Sequence, residues 1–422
     1  MAGYHLWPVT SVSLSIEPKQ YVIIGNGVAG TTAADTLRKG DPQCRIVLIG
    51  DEPYPLYNRV ALPNVLKGKT APERAIIRQI PWHEQNRIEL LLQTTVTRVD
   101  TDTKIVTTAN GQDLRYDKLL VASGGRPNPL RLPGSDGVRG VYNFQTLDDT
   151  KAIIARAQHA KQAVVLGGSF IAYELAEGLR HRNVPVYWLI RGTRFLHRII
   201  DEDGGALIDV LARQVGVETR YGEQAAEVQA ENGEVTGVTT LSGTRYECDV
   251  MGVGMGLTLR TEFLKSTPVQ LNAGVLTNEY LETNVPDVYA AGDVAEFYDP
   301  YVGTHNQMGT WNNASAHGRT AAQNMLAVDG HRQAYNEVPY YTSTMFESQM
   351  AAIGSTPDVR PDMETISRVD MNAQVYRRLF FWEGRLAGAA LIGDIRVRRQ
   401  MMDVIKSREI VPVDERQKLV AL

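Results

Sequence analysis

Twice in this chain, about 140 residues apart, a short aliphatic run ends in a glycine cluster that opens into a helical stretch. The runs are Tyr21-Val22-Ile23-Ile24 and Ala163-Val164-Val165-Leu166. Each is too short for a helix and rich in β-branched residues, which suits a strand buried on both faces of a parallel sheet. An internal repeat of this kind implies an α/β fold with two like units. The chain has 422 residues, and at roughly 150 residues per domain it has room for about three.

The first loop, Gly25-Asn26-Gly27-Val28-Ala29-Gly30, precedes a helical run from Thr31 to Arg38. In this spacing the first glycine allows a tight turn, the second lets the backbone approach a pyrophosphate, and the third lets helix and strand pack closely. The helix N-terminus adds partial positive charge. The next strand, Arg45 to Ile49, ends in Gly50-Asp51-Glu52. That places a carboxylate about twenty residues past the loop, where a ribose hydroxyl would sit.

The second loop reads Gly167-Gly168-Ser169-Phe170-Ile171-Ala172-Tyr173-Glu174, with Ser169 and Ala172 in the later glycine positions. Both are small enough to keep most of the close approach, although a unit of the same fold without a nucleotide also fits. The strand after it, Val186 to Ile190, ends without a carboxylate, and Arg191 and Arg194 follow. An acid there favours NAD, whereas arginine suits the 2′-phosphate of NADP. Solvated loop charges are the alternative.

A formal net charge of -4 with 22% charged residues points to neither nucleic acid nor anionic membrane as a partner. No stretch approaches the ~18 apolar residues of a spanning helix. The opening MAGYHLWPVTSVSLSIEPKQ lacks a basic start followed by an apolar run, so a cytoplasmic location is expected. The two cysteines, Cys44 and Cys248, are too few for a disulfide framework or a cysteine-rich metal site. No metal is expected.

Between the units, Ile88 to Lys118 reads as short strands with a turn at Asn110-Gly111. Leu119 to Ala122 is a further buried strand running into Ser123-Gly124-Gly125-Arg126-Pro127, a crossover to the next domain. The second unit ends near Met251 to Gly254, and Val288 to Ala291 leads into Gly292-Asp293. From about Val338 the pattern turns antiparallel, with a hairpin turn at Glu383-Gly384 and a closing helix from about Asp394.

The two loops, with Thr283-Asn284-Val285-Pro286-Asp287-Val288-Tyr289-Ala290-Ala291-Gly292-Asp293, resemble the pyridine nucleotide-disulfide oxidoreductase superfamily from about Lys19 to the C-terminus. The resemblance implies two Rossmann-like domains, one for FAD and one for NAD(P)H, plus a C-terminal α+β interface domain. The expected bounds are 19–127 and 255–335 for the two parts of the FAD domain, 128–254 for NAD(P)H and 336–422 for the interface domain. It assigns FAD to Gly25, Gly27, Val28, Ala29, Gly30, Asp51, Glu52, Ala122-Ser123-Gly124, Gly292, Asp293 at the ribityl region, and Trp311. It assigns NAD(P)H to Gly167, Gly168, Ser169, Phe170, Ile171, Arg191 and Arg194, with NADPH favoured.

Within the superfamily, Glu52-Pro53-Tyr54-Pro55-Leu56-Tyr57-Asn58-Arg59-Val60-Ala61-Leu62-Pro63 resembles ferredoxin and rubredoxin reductases and the flavoprotein part of assimilatory nitrite reductases. Their shared arginine maps onto Arg59, expected to partner Asp51 or the FAD phosphates. The lysine that many of them carry near the flavin is Asn64 here, and the cysteine of thiol-active members aligns with Val60. No histidine follows His331, so the disulfide reductases' C-terminal His-Glu pair has no counterpart. The resemblance then implies hydride passing from nicotinamide to FAD without a redox-active disulfide.

Phe170 stands where related reductases have a gating aromatic, with a plain core ring as the alternative. Glu174 matches a carboxylate beside the nicotinamide, or else a helix-surface charge. Trp311-Asn312-Asn313 precedes a helical run from Ala314 to Met325, whose N-terminus could face the flavin's pyrimidine edge or be ordinary capping. Val375 to Gly393 resembles the interface domain of the same reductases. Arg368, Arg377, Arg378, Arg385, Arg396, Arg398 and Arg399 offer an acidic ferredoxin or rubredoxin a docking charge, or a homodimer a contact, or are simply solvated. Three functions stay open: a reductase for a small redox protein, a flavoprotein subunit of a larger reductase, and an FAD-binding protein with a degenerate nicotinamide site.

Overall fold

The structure is a computed structural model that describes residues 17–328 and 331–422. The opening stretch through Ile16, expected to carry no leader, lies outside the described residues. Gln20–Ile24 is the central strand of a five-stranded parallel sheet in the order Val288–Ala290, Lys118–Val121, Gln20–Ile24, Arg45–Ile49, Ile88–Leu91. Val22, Ile23, Val47, Leu48, Leu119 and Leu120 are fully buried, and each contributes about 1.5 to 3 kcal/mol by leaving water. Strand order reverses between Gln20–Ile24 and Lys118–Val121, so their carboxyl ends border a crevice of the kind where such sheets bind ligands.

The second unit repeats the plan. Its parallel sheet runs Val217–Tyr221, Val186–Ile190, Ala163–Leu166, Val250–Val253, Val141–Asn143. Each unit also carries a three-stranded antiparallel sheet, within residues 96–115 and 225–247. Gly125–Pro127 pairs antiparallel with Leu257–Leu259, so the chain leaves the first unit and returns to it along adjacent strands. Val288–Ala290 then completes the first sheet.

The last unit is an antiparallel sheet in the order Tyr340–Met345, Ser348–Gly354, Arg385–Ile392, Val375–Trp382, Glu364–Asp370. Its hairpin turns at Glu383-Gly384, where Trp382 pairs with Arg385. One face packs Met345, Phe346, Tyr376 and Phe380 into the core of the second unit. The other packs Leu379, Phe381 and Leu391 against Met401, Ile405 and Val420 of two closing helices, Arg398–Ser407 and Val413–Val420. The first of these starts later than expected, because the Asp394 carboxylate accepts from the Arg396 amide (3.0 Å) and holds a turn ahead of it.

Candidate functional site

The first helix spans Val28–Gly40, three residues earlier than the sequence suggested, because Gly27 takes an extended conformation (φ -67°, ψ -173°) and serves as its N-cap. Val28, Ala29 and Gly30 therefore form the first turn, and no side chain caps it. Their amides lack intrahelical acceptors and form a donor set for an anion. Gly25 sits at φ +112°, and a Cβ there would lie 2.1 Å from the Ala122 carbonyl oxygen. A Cβ on Gly30 would lie 1.9 Å from the Gly25 carbonyl oxygen. A Cβ on Gly27 would meet nothing within 4 Å. Two glycines serve the packing of the turn and the third leaves open space beside free amides, an arrangement that fits a pyrophosphate.

The late signature folds onto this loop. The Cβ that Gly292 lacks would lie 3.1 Å from the Ala29 Cβ and 3.5 Å from the Ala314 Cβ. Three motifs far apart in sequence thus share one cleft. No donor from another residue reaches the Asp293 carboxylate among the described residues. Burial raises its pKa and the Arg59 charge pulls it back. The helix carrying Ala314 begins at Trp311, not Ala314, because the Thr310 hydroxyl accepts from the Asn313 amide (3.3 Å) and caps it. Trp311 is half-buried in its first turn.

Two pairings differ from expectation. Arg59 pairs with Glu52, not Asp51, and also donates to the Tyr57 hydroxyl (2.6 Å) and the Gln145 carbonyl (2.9 Å). Asp51 pairs with Arg260. The backbone of Arg260 is bound to the crossover: its carbonyl accepts from the Ser123 hydroxyl (2.7 Å) and its amide donates to the Gly124 carbonyl (3.0 Å). The physical reason is chain path, since Arg260 directly follows the returning strand Leu257–Leu259 and is bound to the crossover that leaves the first sheet.

In the second loop Gly167 has φ +117° and a Cβ there would lie 2.2 Å from the Gly254 carbonyl oxygen, the same close approach as at Gly25. Ser169 caps the helix Phe170–His181, and its hydroxyl also donates to the Gly254 carbonyl (2.9 Å). Ala172 fits because Gly254 faces it: a Cβ on Gly254 would sit 2.9 Å from the Ala172 Cβ. Gly168 lies beside Ile190, and Ile171 is exposed. Arg191 is exposed, with no hydrogen-bond or ion-pair partner among the described residues. Arg194 instead turns inward to the carbonyls of Ile200 (2.9 Å) and His197 (3.5 Å), so its guanidinium is already engaged.

Phe170 is half-buried and packs on Tyr341 at 4.9 Å between ring centroids. Glu174 is buried, not a surface charge, and accepts from the Tyr341 hydroxyl (2.8 Å). Burial pushes its pKa up to about 7, against the favourable Tyr341 hydrogen bond and the Lys67 charge. Lys67 pairs instead with Glu177 at 2.8 Å, with side chains 3% and 0% exposed. Sequence reasoning missed Tyr341, Lys67, Glu177 and Arg260. Only Lys67 left a signal, a lysine three residues past Asn64.

Lys67→Met should leave Glu177 as an uncompensated buried charge and destabilise the protein by about 3 to 5 kcal/mol. Urea denaturation of the holoprotein measures this, and Lys67→Met with Glu177→Leu should recover most of the loss. An unchanged midpoint for the single variant would mean that water reaches the pair.

The expected arginine surface is smaller than the sequence implied. Arg377 is buried and donates to the Leu419 (3.1 Å) and Ala421 carbonyls, and Arg378 donates to the Ile199 carbonyl (3.1 Å). Arg396, Arg398 and Arg399 are exposed together. Both cysteines are buried, in different cores; burial raises the Cys44 thiol and takes Cys248 up to about 12. No helix among the described residues is long and apolar enough to cross a membrane.

Residues 19–318 match the family model described as pyridine nucleotide-disulphide oxidoreductase, and residues 343–409 match the rubredoxin NAD+ reductase C-terminal domain. The NADH-rubredoxin oxidoreductase of Clostridium acetobutylicum is 27% identical over 387 residues, covering 92% of this chain and 94% of that one. The assimilatory nitrate reductase electron transfer subunit of Bacillus subtilis is 28% identical over 399 residues, covering 94% of this chain and 50% of that protein. The chain thus spans about half the length of that relative, and 47% of the Bacillus subtilis nitrite reductase it also matches. A crystal structure of a covalent putidaredoxin reductase–putidaredoxin complex superimposes with a TM-score of 0.88 at 26% identity, covering 96% of each chain.

Proposed function

The chain belongs to the pyridine nucleotide-disulphide oxidoreductase family, and from that premise we propose that it is an FAD-dependent NAD(P)H oxidoreductase delivering electrons to a small ferredoxin- or rubredoxin-type protein. The observation that carries this is the convergence of the open Gly27 loop, Gly292-Asp293 and the Trp311 helix on one cleft. FAD, when bound, supplies the two-electron chemistry. The amides of Val28 to Gly30 would hold its phosphates, Asp293 its ribityl hydroxyls, and the helix opening at Trp311 the pyrimidine edge. Phe170 and Glu174 stand where the nicotinamide would arrive, and Arg191 beyond Ile190 favours NADPH. Arg398 and Arg399 suit an acidic acceptor, whereas the Arg396 guanidinium is already held by the Asp394 carboxylate (2.9 and 2.7 Å).

The reaction needs no thiol. Val60, 42% exposed, occupies the position of the cysteine in thiol-active members, and both cysteines lie in hydrophobic cores. Anaerobic titration of the yellow protein should therefore consume two electrons per FAD, after which oxidised ferredoxin or rubredoxin should restore the flavin absorbance. Uptake of four electrons per FAD would sink the thiol-free reading. A flavin that neither NADH nor NADPH bleaches would leave the degenerate nicotinamide site as the explanation. A second reading, a flavoprotein subunit of a larger reductase, is favoured by the half-length match to the nitrate reductase subunit. Stoichiometric co-purification of another chain distinguishes it.

A further inference from the structure

A side chain from the last domain reaches the helix that follows the second glycine loop. Tyr341 lies on the strand Tyr340–Met345 and reaches the helix Phe170–His181 with both of its chemical parts. Its ring packs on Phe170 (4.9 Å, 57° between planes). Its hydroxyl has one proton, given to Glu174 at 2.8 Å, while the Tyr173 hydroxyl lies 3.0 Å away and can donate to it. Phe170 packs on the core of the second unit, and it and Tyr341 are both half-buried, so their ring pair stays partly open to solvent. Phe170 cannot leave its position without separating from Tyr341, whose hydroxyl is pinned to Glu174.

The charges around Glu174 explain why a tyrosine has this role. On its own helix it faces Tyr173 and Glu177; from the segment after Leu62–Leu66 it faces Lys67; from the last domain it faces Tyr341. The lysine is committed to Glu177, three residues further along the helix, and Asn64 supplies no charge. Tyr341 is therefore the hydrogen-bond donor to this buried carboxyl.

We propose that Tyr341 is a positioning residue for the nicotinamide half of the reaction, holding Glu174 by its hydroxyl and Phe170 by its ring; this rests on the functional reading above. Tyr341→Phe keeps the ring and removes only the donor. A donor to a carboxylate favours the ionised form, so its loss raises the pKa of Glu174. Losing a hydrogen bond to a charged group corresponds to a shift of about one to two pH units.

The test follows holoprotein across pH in two ways. Infrared difference spectra monitor the protonated carboxyl band, identified by its loss in Glu174→Gln, and rapid mixing with NADPH and NADH monitors flavin bleaching. Wild type should show a midpoint near 7 in both. Tyr341→Phe should move both midpoints up by about one to two units while leaving the nucleotide concentration for half-maximal rate unchanged. Glu174→Gln should abolish the pH step. A wild type that no nicotinamide nucleotide bleaches would overturn the functional reading and this inference with it. A wild type that is bleached, with superimposable midpoints in Tyr341→Phe, would overturn this inference alone.

Discussion

Gly27→Val should give a folded, colourless protein. Gly27 already has a conformation open to any residue (φ -67°, ψ -173°), and a Cβ there meets nothing within 4 Å. The fold therefore accepts the side chain, but the isopropyl group fills the space that a pyrophosphate needs beside the free amides of the first helical turn. Loss of two charge-assisted hydrogen bonds costs about 3 to 6 kcal/mol, or roughly a hundred- to ten-thousandfold in FAD affinity. Flavin absorbance relative to protein absorbance reads the loss. Circular dichroism checks the fold, with deflavinated wild type as the reference because a bound cofactor stabilises whatever binds it. Gly30→Ala provides the contrast: its Cβ would lie 1.9 Å from a backbone oxygen, so that variant should lose the fold itself. A Gly27→Val protein that stays as yellow as wild type would mean that the loop does not hold the phosphates.

The difference between these two glycines also marks what could be read from the sequence. The spacing Gly25-x-Gly27-x-x-Gly30 after a four-residue aliphatic run is local information, and it located strand, turn and helix to within a few residues. The helix start was misplaced by three because the N-cap is a glycine, which leaves no side-chain signature. The late strand Val288–Ala290 was legible as a strand. The resemblance assigned it to the first unit, but its pairing with Lys118–Val121 was not legible, since the whole second unit intervenes.

Side-chain pairings were far less legible. Asp51 meets Arg260 across 209 residues and Glu174 meets Tyr341 across 167, and nothing in either neighbourhood specifies its partner. The arginines of the last domain show the same limit. Arg377 and Arg378 read as surface charge until the closing helices and the second unit are seen to cover them. Composition registers charge, whereas function depends on which charges remain in water.

The same distinction underlies the proposed nucleotide preference. NADPH should be the better substrate, and Arg191→Ala should remove most of the advantage. Ile190 ends its strand 2% exposed, so no carboxylate is there to bind the adenine ribose or to repel a 2′-phosphate. Of the two arginines that follow, Arg194 has its guanidinium on backbone carbonyls (2.9 and 3.5 Å), and Arg191 alone remains exposed and available. An arginine–phosphate bond contributes about 1.5 to 3 kcal/mol, toward the lower end at a solvated site. That corresponds to roughly tenfold in affinity. Arg191→Ala should lower kcat/KM for NADPH by about that factor and leave NADH nearly untouched, because only NADPH carries the phosphate. Arg194→Ala should instead loosen the loop and penalise both nucleotides alike. Steady-state kinetics with both nucleotides on the three proteins gives the comparison. Equal losses in Arg191→Ala would place that arginine on the shared pyrophosphate, and a wild type that prefers NADH would show that removing the acid does not by itself create a 2′-phosphate site.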